Sequence, residues 1–304
     1  MYNIVNNMPK QSFPKKLQQG ALFQLILLHT LYSQKGSDQL IFQGGTALRW
    51  IYGGQRASED LDFVSTMSPY ELRKLLNHAL PQTSHLALSQ FGTGAFEEKP
   101  RHASSGCFRT FILFSPTIQR ERINVRIEIE EIQADRPPAQ RRIPMMDCPQ
   151  VFHVMKEGVL TLPFSSSILV VETPEEILTD KLRALYERPY LKGRDLYDLW
   201  FLHSMLGAQT HLEQLERKLK SYVRPFRAAR RAPFFLKKEL KKELLEALKT
   251  DLGRFLPSSV YKVLETSTFA PIFQSMEEIL SPLIKEGLED LLNSYAQTVH
   301  DRNS

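Results

Sequence analysis

Leu22, Leu25, Ile26, Leu28 and Leu31 recur at the three- and four-residue spacing of one helix face, which predicts a helix over about residues 16–34. The Gly36-Ser37-Asp38 turn ends it. Leu40-Ile41-Phe42 reads as a short buried strand, Gly44-Gly45 as a tight turn, and Thr46 to Tyr52 as a helix closed by Gly53-Gly54. Leu61-Asp62-Phe63-Val64 predicts a second strand. A helix follows from Ser68 to about Leu80, opened by Ser68, Pro69 and Glu71 as cap, first-turn proline and third-position carboxylate. Phe108 to Phe114 and Ile123 to Ile129 have strand character and form a hairpin. In the second of these, Val125, Ile127 and Ile129 face one side and Arg126, Glu128 and Glu130 the other, because strand side chains reverse at every residue. The polar, proline-containing stretch 136–142 needs no regular structure. After a strand at Ile168 to Val171, Thr173-Pro174-Glu175-Glu176 starts a helix, and the pattern stays helical to the end. The expected division is a sheet-bearing core over residues 1–170 and a helical lobe over 171–304.

Composition narrows the class. The chain has 304 residues, 42% apolar and 24% charged, enough for one large or two modest domains and too apolar for bulk disorder. No apolar run reaches the ~18 residues of a membrane span, and the polar start with Asn3, Asn6 and Asn7 lacks the design of an export signal. A cytoplasmic protein without membrane attachment is expected. Cys107 and Cys148 are too few and too far apart for a disulfide framework or a zinc cage and read as reduced thiols. The eight histidines show no metal-ligand spacing. The net charge of +5 is unevenly distributed: residues 217–242 hold eleven basic residues against Glu239 alone, a local +10 that attracts phosphate. Tyr222, Phe226, Phe234 and Phe235 lie in the same window, so it suits either an ordinary solvated helix or an RNA grip by phosphate contacts and base stacking.

The sharpest chemistry lies between residues 44 and 62. Two glycines ahead of a helix let backbone N–H groups approach a phosphate. Asp60 and Asp62, two apart on a strand, project from one face, and oxygen-only ligands suit Mg²⁺ rather than zinc. A phosphate-cradling turn followed by a same-face carboxylate pair is what metal-assisted nucleotide chemistry needs. Neither a Walker loop nor a dinucleotide fingerprint fits, since no Gly-Lys-Ser/Thr or Gly-x-Gly-x-x-Gly occurs there.

Gly44-Gly45-Thr46-Ala47-Leu48-Arg49 with Arg56-x-Ser58-x-Asp60-x-Asp62 resembles the nucleotidyltransferase signature of the AbiEii abortive-infection toxin family, in the DNA polymerase β-like superfamily. Lys181-Leu182-x-Ala184-Leu185 with Arg188, and Arg194-Asp195-x-x-Asp198, are similar to its two later motifs, in the same order. The resemblance covers about residues 20–205. Gln43 stands where members commonly have a lysine. The resemblance implies an α+β fold: a polymerase β-like nucleotidyltransferase core with a mixed sheet, plus a mainly α-helical C-terminal lobe. It implies Mg²⁺ as cofactor and an NTP as substrate, with Asp60, Asp62 and a third carboxylate holding metal. Glu128 is preferred for the third, over Glu130 and the loop residue Asp135. Gly44, Gly45, Thr46, Arg49, Ser58 and Lys181 would meet the nucleotide, and Asp195 would be an active-site carboxylate orienting Lys181 or the attacking hydroxyl.

The activity so implied is transfer of an NMP unit to an RNA acceptor, the tRNA 3′ end, by a growth-inhibiting toxin with a cognate antitoxin. Two other readings stand beside it. One is nucleotidyl transfer to a protein or to a small molecule such as an aminoglycoside. The other is a non-catalytic binding module on the same scaffold.

Overall fold

A computed structural model describes residues 13–101, 106–118, 121–163 and 167–297. Its first helix, α1 (Lys15–Tyr32), is buried at every position from Phe23 to Tyr32, far more than one apolar stripe would require. The cause is its place: it lies on a seven-stranded sheet on one side and against α3 (Pro69–Phe91) on the other.

The strands are β1 (Leu40–Gln43), β2 (Asp60–Ser65), β3 (Gly94–Pro100), β4 (Cys107–Pro116), β5 (Ile123–Glu131), β6 (Gln140–Pro144) and β7 (Ile168–Glu172). They are ordered β3-β4-β5-β2-β1-β7-β6. The sheet is mixed: β2 runs parallel to β5 and β1 parallel to β7, while the other neighbours are antiparallel. Leu61, Phe63, Val125, Ile127 and Ile129 are all buried, so the alternation of β2 and β5 turns one face of the sheet into the core. The opposite face carries the charged residues of the same strands.

Short α2 (Gly44–Trp50) follows β1 directly, and α4 (Pro149–Lys156) precedes β7. The helical remainder is α5 (Pro174–Glu187), α6 (Gly193–Trp200), α7 (Leu212–Ser221), α8 (Lys241–Phe255), α9 (Ser258–Thr266), α10 (Ala270–Lys285) and α11 (Leu288–Gln297). Thr173 caps α5 by accepting from the Glu176 N–H, as its sequence predicts. One contiguous apolar core runs from α1 to α11.

Three expectations need correction. Gly44 and Gly45, expected as a turn before a helix over Thr46 to Tyr52, are themselves the first residues of α2, which ends at Trp50. The helix expected to stop near Leu80 continues through Pro81 to Phe91. Burial of Ala79, Thr83, Leu86 and Ala87, together with a 2.7 Å bond between the Thr83 and Thr30 hydroxyls, offsets the hydrogen bond that proline cannot make. The stretch expected to be irregular contains β6, an edge strand pairing with β7 from Gln140 to Pro144. Gln140, Arg141 and Arg142 are exposed on both faces, so an edge strand of this kind shows no alternation in sequence.

Among the described residues no helix is long and apolar enough to cross a membrane. Cys107 and Cys148 are buried and unpaired, in line with the reduced-thiol reading.

Candidate active site

The parallel pairing of β2 with β5 sets Asp62 level with Glu128 and Asp60 level with Arg126. Their side chains share the charged face and open into one cavity, which also touches Gly44, Gly45 and Ser58 from the β1–α2 side and Lys181, Arg188 and Asp195 from the helices. The structure thus gathers most of the residues singled out from sequence.

Gly44 shows why that position holds glycine. Its φ is +77°, and a Cβ placed there would stand 2.6 Å from Asp62 Oδ2. Gly45 makes room for the Arg56 guanidinium, which any Cβ there would strike. The pair therefore does two jobs: it turns the chain into α2 and lets an aspartate and an arginine lie against bare backbone.

The carboxylates differ in what surrounds them. Burial first, and then the charges of Asp60 and Glu128, push the Asp62 carboxyl up to about 7. Asp60 accepts from Arg126 at 2.6 Å. Glu128 accepts from Arg109 at 2.7 Å and lies 3.7 Å from Arg126 Nε. Burial alone would raise it, but the Arg109 hydrogen bond and the two arginine charges hold its carboxyl below the ordinary value. Glu130 faces Arg183 at 3.3 Å, and Asp135 is exposed outside the cavity lining.

The helical side is a chain of buried ion pairs. Lys181 on α5 reaches Asp198 at 2.7 Å and Asp195 at 3.3 Å, both on α6. Asp198 also receives a two-pronged contact from Arg56, Nε to Oδ1 at 2.8 Å and Nη2 to Oδ2 at 2.7 Å. Asp195 accepts from Arg188 as well. Burial would raise the Asp195 carboxyl, yet Arg188 and Lys181 hold it well below the usual carboxylate range. Arg56 is the link between halves, tying the loop before β2 to α6.

Two residues assigned to the nucleotide lie elsewhere. Thr46 is buried and donates to the Asp60 carbonyl, which pins the start of β2 to α2. The Arg49 guanidinium lies 5.1 Å over the Phe13 ring and 4.9 Å over Trp50. Burial and the neighbouring Arg56 lower it to about 10. Neither lines the cavity. Conversely, Arg126, Lys192 and Asp180 line it without having been selected from sequence, and so does Arg194, which the motif named but gave no role. Arg126 was legible as the polar neighbour of Glu128 on an alternating strand; the others depend on how α5 and α6 pack.

The basic window also changes meaning. Lys218 is buried among Glu172 (2.7 Å), Asp180 (2.8 Å) and Glu176 (3.1 Å), while Arg217 pairs with Glu176. Tyr222, Phe226 and Phe235 are core residues, and Phe234 packs on the core, so they are unavailable for base stacking. Arg224, Arg227, Arg231, Lys237, Lys238, Lys241 and Lys242 remain exposed.

Oxygen donors from Asp60, Asp62 and Glu128 suit a hard divalent cation, and the raised Asp62 carboxyl is the mark of negative charge in need of a counter-ion. Among the described residues no three such side chains converge as a ready cage; Arg126 bridges two of the three carboxylates instead.

A mixed sheet carrying paired carboxylates on one strand, facing a cavity lined by a cation-bearing helix, is the arrangement expected of a polymerase β-like nucleotidyltransferase. The profile of the family described as "Nucleotidyl transferase AbiEii toxin, Type IV TA system" matches residues 26–280, and the chain belongs to that family. Among solved structures it is similar to JHP933 from Helicobacter pylori, with 16% identity and a TM-score of 0.55 over 96% of this chain and 100% of that one. It is also similar to an H. pylori protein described as a "putative nucleotidyltransferase", with 18% identity and a TM-score of 0.53 over 90% of this chain and 98% of that one. At these identities the likeness is one of fold. No curated protein sequence matches the chain.

Proposed function

We propose that this nucleotidyltransferase moves an NMP unit from an NTP to a hydroxyl at the 3′ acceptor end of tRNA, with Mg²⁺, as a cytoplasmic toxin restrained by a cognate antitoxin. The observation that carries the catalytic part is the register of β2 on β5. It sets Asp62 beside Glu128, with Asp60 one step along the same face, at the mouth of the Gly44-Gly45 turn.

In this reading residues 1–170 supply the metal ligands and residues 171–304 the phosphate-facing cations. Asp60, Asp62 and Glu128 would hold the metal, which when bound polarises the attacking hydroxyl and neutralises phosphate charge. Gly44 and Gly45, with the Ser58 hydroxyl beside them, line the cavity where their backbone N–H groups would meet a phosphate oxygen. Lys181, fixed from two sides by Asp195 and Asp198, presents a located positive charge to the leaving pyrophosphate. Asp195 positions both Lys181 and Arg188 and stays ionised, because their charges favour the carboxylate. Arg126 engages only Oδ2 of Asp60, at 2.6 Å, which leaves Oδ1 to a cation.

The exposed cations from Arg224 to Lys242 support an RNA acceptor over a small molecule. Purified protein is incubated with each labelled NTP, Mg²⁺ and total tRNA. Label at the tRNA 3′ end that is absent with Asp62→Asn is the expected result. Label on a protein or a small molecule would overturn the acceptor assignment, and no label on any acceptor would overturn the catalytic one.

A further inference from the structure

Charge bookkeeping in the cavity isolates one side chain. Seven cations and six carboxylates line it, so most of the positive charge is already offset, and a polyphosphate gains most where a cation has no carboxylate partner. Arg56 is held by Asp198, Lys181 by Asp195 and Asp198, and Arg188 by Asp195. Arg126 is held by Asp60, and Arg183 by Glu130 and Glu187. The Arg194 guanidinium is laid 4.3 Å over the Phe255 ring. Among the described residues, Lys192 has neither a carboxylate partner nor an aromatic ring, although it is half-buried and lines the cavity.

Its backbone explains how it is held there. Lys192 precedes the first turn of α6 with φ −129° and ψ 106°, and its carbonyl accepts from the Asp195 N–H at 3.0 Å. The next residue, Gly193, abuts α8 so closely that a Cβ there would stand 2.7 Å from Leu248 Cα. The start of α6 is thereby clamped, and the Lys192 stem has a fixed origin beside Arg188 and Asp195.

We propose that Lys192 is a phosphate-binding residue of this site, supplying the uncommitted ammonium that meets the polyphosphate tail of the nucleotide. The inference rests on the nucleotidyl-transfer reading above and deepens it by assigning the end of the cavity that receives the tail. Burial, reinforced by Arg188 and more weakly by Arg194 and Lys181 against the attraction of Asp195, lowers the free ammonium to about 8. An unpaired cation kept in this condition is stabilised by an arriving anion more than a paired one is.

The test is calorimetric binding of inorganic tripolyphosphate with Mg²⁺, at pH 7 and pH 9, to wild type, Lys192→Ala and Lys192→Arg. Lys192→Ala is expected to bind about tenfold more weakly at pH 7, the loss of one charge-assisted contact. Wild type is expected to lose affinity between the two pH values as the ammonium deprotonates, while Lys192→Arg, whose guanidinium stays charged, does not lose this part. Lys192→Gln replaces Lys192→Ala should the alanine variant melt below the assay temperature. Equal affinity of wild type and the neutral variant, or the same pH dependence in wild type and Lys192→Arg, would overturn the proposal. Tripolyphosphate reports the tail contact, whereas label transfer reports the reaction. A wild type that transfers label while Lys192→Ala binds tripolyphosphate normally sinks this inference alone. A wild type that transfers none from any of the four NTPs removes both.

Discussion

Asp62 is where the electrostatics of the site concentrate, and its proton gives a test independent of substrate. A carboxyl that holds its proton more tightly in the folded state contributes fully to stability below its unfolded pKa of ~3.9. That contribution is lost as pH rises through its folded value of about 7. The metal-free protein is therefore expected to lose thermal stability between roughly pH 4 and pH 7. Asp62→Asn, which keeps the shape and removes the charge, should flatten that slope and melt at least as high as wild type at pH 7.5, while its transfer rate falls by about 10²–10³. A melting profile of Asp62→Asn that declines as steeply as wild type would show that the repulsion lies elsewhere. Gly44 supplies the complementary test. Alanine there meets both a φ of +77° and a 2.6 Å approach to Asp62 Oδ2, so Gly44→Ala should cost about 1–3 kcal/mol in urea unfolding and reduce transfer by displacing Asp62. The control is Gly36→Ala, whose φ of +86° carries the same backbone strain with nothing within 4 Å, and which should lower stability without touching the rate.

At the level of elements, α5 is oriented by a buried cation rather than by its apolar face alone. Lys218 on α7 sits among Glu172 at the end of β7 and Glu176 and Asp180 on α5, and Asp180 is further held by the Tyr222 hydroxyl at 2.5 Å. Removing Lys218 leaves Glu172 and Asp180 buried side by side without the cation they share, so Lys218→Met should destabilise the fold by about 3–5 kcal/mol in denaturant titration. Exposed Lys237→Met should stay within about 0.5 kcal/mol. Equal effects of the two would show that the cluster is solvated. Lys218 also marks the limit of what the sequence discloses. Alternation over Leu61–Val64 and Ile123–Ile129 was enough to put Asp60 with Asp62, and Arg126 with Glu128 and Glu130, on one face of each strand, because a strand's period is a local property, whereas the pairing of the two strands is tertiary. The Ser68 and Thr173 caps were legible for the same reason. Contacts such as Arg56 with Asp198, 142 residues apart, depend on tertiary packing that no local spacing encodes. A basic run likewise reads the same whether its lysines face water or, like Lys218, are buried among acids. The continuation of α3 through Pro81 and the edge strand β6 escaped for related reasons: packing overrode one local signal, and an exposed edge produced none.

Over the whole molecule, the surviving surface charge lies next to the cavity. Arg230 donates to the carbonyls of Leu185 and Arg188 at the end of α5, and α8 packs on Gly193 through Ala247 and Leu248. Lys241 begins α8 only six residues before Ala247, about 9 Å along a helix axis, so the basic run ends close to the Lys192 corner. With Tyr222, Phe226 and Phe235 in the core, an RNA acceptor would be held here by phosphate contacts and little stacking. Such binding weakens steeply with salt, log affinity falling by about 0.7 per contact for each log unit of salt on single strands. Replacing Lys237, Lys238, Lys241 and Lys242 by glutamate should therefore weaken tRNA binding strongly at low salt and make its salt slope shallower, by about 3 if all four meet phosphates. Tripolyphosphate binding should stay unchanged, since none of the four lines the cavity. Loss of both would point to a general field effect of the reversed charges, which added salt would erase over the ~10 Å screening length at 0.1 M. Unchanged tRNA affinity with intact nucleotide binding would instead remove RNA from this face and return a protein or small-molecule hydroxyl as acceptor.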